Sequence, residues 1–234
     1  ETVVSPGVSG WKRVLNAMDL AERNIATFAR AGKVHGASGL LNTDWGDHGH
    51  FNALACSWHG IALGATLAWR SDHAIGAEFD RKFADWLFEP RMEKDAQSHE
   101  LIALLRGASK IAEKCESWSL LWQPIQQFRD DQQKPPPEEI GWAADCARRT
   151  IEVLGSFPSS VDRDELLTAC LATQLFCDKA RLASGESIDT RDAAIRIREV
   201  AERFARCWNI RNKPSGLKDI LAVFDRLPVE FAVS

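Results

Sequence analysis

The chain has 234 residues, 45% hydrophobic and 26% charged, which excludes a disordered or fibrous protein and leaves room for one large core or two small ones. A net charge of −4 and a pI near 5.9 give no basic surface to hold nucleic acid. No run reaches the roughly 20 apolar residues of a membrane helix, so no membrane partner is expected.

Residues 1–7 (ETVVSPG) read as a short β-branched strand ending in a Pro-Gly turn. Trp11, Val14, Leu15, Met18, Ala21, Ile25, Phe28 and Ala29 then recur at helical spacing, with Gly32 and Gly36 as the stop. Residues 37–42 (ASGLLN) form a candidate buried strand, and a polar loop follows over 43–52. A helix over 57–70 is rich in Ala and Gly and should pack closely against something. Strand, helix, strand, helix is the rhythm of a parallel α/β fold.

Beyond residue 74 that rhythm stops. Asp, Glu, Lys and Arg number 12 in residues 1–74 and 50 in residues 75–234, and strand signals almost vanish. Helical patterns cover 76–88, 97–114, 117–132, 138–155, 161–183 and 189–212. Asp189 can cap the last of these, Pro214 and Gly216 close it, and Lys134 with three prolines makes a stiff break before 138. The fold class read from this is mainly α with a short α/β part. Two β–α units cannot close a sheet, and a (β/α)8 barrel takes about 250 residues and eight units. The expectation is the C-terminal portion of a TIM barrel over 1–74, followed by an all-helical domain over 75–234.

Six Cys, at 56, 115, 146, 170, 177 and 207, form no C-x-x-C pair and fall mostly among apolar neighbours. They read as buried free thiols, a usage that leans toward a reducing compartment such as the cytoplasm.

The densest polar cluster is TDWGDHGHFN at 43–52, just after a predicted strand and before a helix. In parallel α/β folds that position is the ligand-binding edge of the sheet. Carboxylates accept hydrogen bonds from sugar hydroxyls, and an indole packs on the apolar face of a pyranose. Asp44, Trp45, Asp47, His48 and His50 are the candidates, and Trp11 fits either the pocket or the helical stripe. A rival is a metal site drawn from Asp44, Asp47, His48, His50 and His59, although their spacing matches no zinc signature. No cofactor is expected.

The run 36–69, GASGLLNTDWGDHGHFNALACSWHGIALGATLAW, resembles the last strand, loop and helix of the barrel in family 20 glycoside hydrolases, the β-N-acetylhexosaminidases. The likeness is to a bacterial branch with a TDWGD-x-GH segment. Residues 5–11 (SPGVSGW) resemble its P-G-x-S-x-W turn, and 208–217 (WNIRNKPSGL) its W-x-x-R-N-x-P-x-G-L tail. The resemblance implies retaining removal of terminal N-acetylhexosamine from glycans, with the substrate's own acetamido oxygen as nucleophile, an exception among retaining glycosidases. It implies that Trp45 walls the acetamido pocket. Asp47 stands where the family's Trp-x-Glu places a sugar-binding Glu, one methylene shorter. It implies a catalytic Asp-Glu pair upstream, in a preceding barrel portion that would be this chain's partner. The one Asp-Glu dipeptide here, Asp164-Glu165, lies in the first turn of a predicted helix, where carboxylates stabilise the helix N-terminus. No catalytic residue is therefore assigned in this chain.

Of nine Trp and no Tyr, Trp69, Trp86, Trp118, Trp122, Trp142 and Trp208 read as helix packing, and Trp58 with His59 reads the same way. The charged run 78–82 reads as a solvated helix face. The helical half is expected to buttress the barrel or to mediate homodimer contacts. Two other readings stay open: a non-catalytic carbohydrate-binding or interaction module, and a metal-dependent hydrolase built on the Asp/His loop.

Overall fold

The computed structural model describes residues 1–47, 51–72, 75–88, 96–130, 134–227 and 231, with 96–99 described by backbone alone. Val3–Val4 (β1) runs parallel to Gly39–Leu40 (β2), pairing Val3 with Gly39 and Val4 with Leu40. Backbone bonds extend the pairing past these strands. Ser38 N–H donates to the Thr2 carbonyl, Leu41 N–H to Val4, Thr43 N–H to Pro6 and Val8 N–H to Thr43. Gly7 and Thr43 form a further parallel bridge.

Parallel neighbours need a crossover, and the helix Met18–Val34 (α1) supplies it. That helix does not begin at Trp11, as the apolar spacing predicts. Ser9 and Lys12 adopt φ of 58° and 56°, a left-handed backbone that no α-helix continues. Side chains hold the segment instead: Arg13 donates from Nε to the Ala112 carbonyl at 2.6 Å and from Nη1 to Trp11 at 2.9 Å. Val14 and Leu15 are buried all the same. Apolar spacing here records burial in an irregular segment, not helix.

Gly32 does not stop α1 either. A Cβ on it would lie 3.0 Å from a Val4 methyl, so this glycine lets helix and strand touch. Gly36, at φ +70°, follows the helix end. Leu54–Trp69 (α2) starts earlier than predicted and packs as closely as its composition demands. A Cβ on Gly60 would lie 2.9 Å from Val8 Cγ1, and one on Gly64 2.3 Å from Asn42 Nδ2. Asn42 Nδ2 uses the proximity to donate to the Gly60 carbonyl at 2.8 Å.

The remaining described elements are helical: Ala77–Phe88 (α3), Ala96–Ser109 (α4) leading into a 3-10 turn Lys110–Glu113, Ser117–Trp122 (α5), Ile125–Asp130 (α6), Pro137–Gly155 (α7), Val161–Ala183 (α8), Thr190–Arg211 (α9) and Leu217–Leu221 (α10). The pattern over 117–132 breaks in two because Pro124 forces Gln123 into extended backbone, ψ 145°. Pro136 and Pro137 open α7, where a missing N–H costs nothing. Asp189 caps α9, its carboxylate accepting from the Arg191 and Asp192 amides. α10 escapes sequence periodicity because five residues make little more than one turn.

The protein is thus mainly α-helical, with one short parallel sheet among the described residues. Its core runs through both parts. Leu15, Met18 and Cys56 share one buried cluster with Phe83, Leu101 and Leu166, and Val14 and Phe51 share another with Trp118 and Phe204. All six cysteines are reduced and buried.

The tryptophans divide differently from the expectation. Trp118 is fully buried, stacked on Phe51 with centroids 4.4 Å apart. Trp58, Trp122 and Trp208 are half-buried. Trp69, Trp86 and Trp142 are exposed at 91%, 61% and 57%, so these three are not core. Helical spacing alone cannot separate the middle of an apolar stripe from its margin, where a large ring spills into solvent.

Candidate functional site

β1 and β2 end side by side, and Trp11 and Trp45 are tied to the bridge that closes them. A Cβ on Gly7 would lie 3.1 Å from Cζ3 of the Trp11 ring and 3.4 Å from Thr43 Oγ1. Trp45 Nε1 donates to that same Thr43 Oγ1 at 3.0 Å. Glycine lets the Trp11 ring lie this close to the bridge without displacement. The Arg13 guanidinium stands over the Trp11 ring at 5.4 Å. Trp11 is half-buried, whereas Trp45 is 56% exposed, a large apolar face open at the sheet end. Asp44 and Asp47 beside it are exposed. His48 and His50 lie outside the described residues.

A buried amide network supports this end of the sheet. Asn16 Nδ2 donates to the Val8 carbonyl at 2.9 Å and to Ser57 Oγ at 3.2 Å. Asn52 Nδ2 donates to Asn16 Oδ1 at 2.7 Å, and Ser57 Oγ donates to Asn52 Oδ1 at 3.3 Å. Gly10 lies between this network and Asp44, since a Cβ there would sit 3.1 Å from both Asn52 Oδ1 and Asp44 Oδ1. The network joins the turn after β1 to the start of α2. Asn16 and Asn52 carry no motif, and sequence reading passes over them.

His59 does not belong with the loop. It is buried on α2, wedged edge-on against Phe79 and Phe83, with Nε2 2.8 Å from Asp80 Oδ1 and 4.0 Å from Glu22 Oε1. Glu22, His59 and Asp80 are the one cluster of metal-ligand type among the described residues, and it contains no loop residue. The Arg106 guanidinium already fills its cationic place, reaching Asp19 and Glu22 at 2.5 Å and Asp80 at 3.0 Å. Burial pushes the Asp80 carboxyl up, but His59 and Arg106 outweigh it and hold it below its ordinary value. Asp80 is therefore no solvated member of the 78–82 run. It joins α3 to α2 through His59 and to α4 through Arg106, which in turn holds Asp19 and Glu22 of α1.

A cavity of about 220 Å³ opens where the loop meets the helical part, lined by Phe51, Asn52, Phe204, Trp208, Arg211 and Glu165 among others. Glu165 is only 3% exposed. Its Oε2 accepts the Ala55 N–H at 2.8 Å and its Oε1 accepts Arg211 Nε at 2.5 Å. Asp164 lies in the first turn of α8, as expected of the dipeptide, while Glu165 serves the N-terminus of α2, which begins after Ala53 with no side-chain cap of its own. Burial raises the Glu165 carboxyl against the pull of Ala55 and Arg211.

No protein-family model matches the chain, and no curated protein matches it.

Proposed function

We propose that this chain forms the C-terminal part of a retaining β-N-acetylhexosaminidase similar to family 20 glycoside hydrolases. It would contribute the last two β–α units of a (β/α)8 barrel and a helical buttress. The observation that carries this is the pairing of Trp11 and Trp45 on one Gly7–Thr43 bridge, where two parallel strands joined by a right-sized crossover helix come to an end. Ligands of parallel α/β folds bind at this end. An indole with its N–H already engaged offers its apolar face, which suits the C–H face of a sugar ring. Exposed Asp47, next to that face, offers a carboxylate to sugar hydroxyls. Val3 and Leu41, exposed at 52% and 60%, leave the sheet apolar where further strands would cover it.

In this reading the substrate's acetamido oxygen attacks the anomeric carbon and the glycosidic oxygen leaves, protonated by an acid of the preceding barrel portion. Water then opens the oxazolinium intermediate. This chain's share is to wall the acetamido group with Trp45 and Trp11 and to hold hydroxyls with Asp47. The test is hydrolysis of a chromogenic N-acetylglucosaminide by the enzyme that includes the preceding barrel portion. Turnover that Trp45→Ala impairs supports the reading. Turnover by the present chain alone, or none by the longer protein, overturns it. Loss of turnover on chelation points to the metal-dependent alternative.

A further inference from the structure

The tail motif at 208–217 lies far from the loop in sequence, yet its Arg211 reaches the loop's downstream anchor. Arg211 Nε donates to Glu165 Oε1 and Arg211 Nη2 donates to Asp162 Oδ1, both at 2.5 Å. Each carboxylate holds the first turns of α2 with its remaining capacity. Glu165 Oε2 accepts the Ala55 N–H at 2.8 Å, and Asp162 Oδ1 accepts Trp58 Nε1 at 2.9 Å. One guanidinium at the end of α9 thus sets two carboxylates of α8, and these two set the start of α2. A planar fork presents its donors from separate nitrogens in a fixed geometry, which a single ammonium nitrogen does not reproduce.

The amide network holds Asn52 and Ser57, but the N-terminus of α2 has no side-chain cap of its own and takes one from Glu165. Ala53 offers no capping side chain, and Phe51 is stacked between Trp118 and Phe204 at 4.4 and 4.7 Å. The cavity alongside leaves space into which residues 51–54 could shift if the α2 start were released.

We propose that Arg211 is a positioning residue for the loop that carries Asp44, Trp45 and Asp47, acting through Glu165 and Asp162 on the start of α2. This rests on the reading of that loop as a sugar site. The helical part is then the device that fixes the downstream end of the loop, while the Gly7–Thr43 bridge fixes the upstream end.

The test combines two measurements on Arg211→Ala and Arg211→Lys. Hydrogen exchange of the chain should show the amides of Ala55, Cys56 and Ser57 exchanging about tenfold faster in Arg211→Ala, as expected for loss of a charge-assisted bond, with α7 unchanged as the folding control. Arg211→Lys should fall between, since it keeps the charge but replaces the separate Nε and Nη2 donors by one nitrogen. Methylguanidinium at millimolar concentration should enter the space left in Arg211→Ala and restore slow exchange. In the enzyme with its preceding barrel portion, Arg211→Ala should raise KM for the chromogenic N-acetylglucosaminide several-fold and methylguanidinium should lower it again. Unchanged exchange at the start of α2 overturns the proposal. So does faster exchange with wild-type KM, which would make Arg211 a helix clamp only. A wild-type enzyme that never turns the substrate over overturns the sugar reading itself, which separates the two failures.

Discussion

Trp45 Nε1 donates to Thr43 Oγ1 at 3.0 Å, and Thr43 Oγ1 donates onward to the Pro6 carbonyl at 3.0 Å. The exposed indole is therefore fixed to the backbone of the neighbouring strand through one hydroxyl. Thr43→Val keeps the β-branched shape and removes that link. The ring stays present but loses its orientation. In the proposed enzyme Trp45→Ala should raise KM by a factor equivalent to about 1–3 kcal/mol, taking the worth of a nucleobase stacked on an aromatic ring as the scale for a sugar face. Thr43→Val should cost less, about 0.5–1.5 kcal/mol, the worth of one hydrogen bond. Steady-state kinetics on both variants checks the order. Equal losses would mean that Thr43 acts on something other than Trp45.

Two helical glycines should respond to alanine in opposite directions. A Cβ on Gly60 meets Val8 at 2.9 Å, and Val8 is buried and β-branched, so it cannot swing away. Gly141, in α7, has nothing within 4 Å of its Cβ position. Alanine gains about 0.5–1 kcal/mol over glycine inside a helix. Gly141→Ala should therefore stabilise by that amount. Gly60→Ala should lose about 1–3 kcal/mol to overpacking, more than propensity returns. Urea unfolding midpoints distinguish the two.

The thiols give a direct readout of the core. Burial pushes Cys170 and Cys177 up to about 12 and raises Cys56 and Cys207. A thiol reagent acts on the thiolate and needs access. At pH 8 the native chain should label slowly at all six positions, at a rate that follows opening of the helices, and quickly once denatured. A prompt native-state equivalent would mean that one of these cysteines is accessible.

Much of the fold is legible in the sequence where one physical signal acts alone. α8 and α7 follow from long apolar periodicity with polar or proline starts, and Asp189 follows from capping chemistry. The signals fail where burial and helicity part. Val14 and Leu15 are buried in a segment bent by left-handed Ser9 and Lys12 and held by tertiary bonds, among them those of Arg13, Asn16 and the Val14 amide. Trp69 has the spacing of a core residue and lies in solvent. At the site, Trp11 and Trp45 are legible as aromatics beside a turn. Their common bridge is not, because it depends on the register of two strands far apart in sequence. Glu165 is legible only as a carboxylate near a helix start, and the helix it serves comes from elsewhere in the chain.

Arg106 makes the acid stability of the protein predictable. Its guanidinium reaches Asp19, Glu22 and Asp80, and Lys110 adds a second cation to Asp19. For Asp19, burial pulls upward but Lys110 and Arg106 prevail, and the net shift is down from 3.8, as for Asp80. A carboxyl whose folded value is depressed binds fewer protons than its unfolded counterpart as the pH drops below 3.8. Its stabilisation is complete above that pH and disappears as the pH falls through the folded value. Arg106→Met removes the shared cation and leaves three carboxylates facing one another. At neutral pH the loss should be about 1–3 kcal/mol, the worth of hydrogen bonds to charged partners at these mostly buried sites. Below pH 4 the gap between wild type and variant should narrow, because the wild type then loses what the variant never had. Denaturant unfolding at pH 7 and at several points below 4 measures both quantities. A gap independent of pH would mean that Arg106 stabilises by packing rather than by charge.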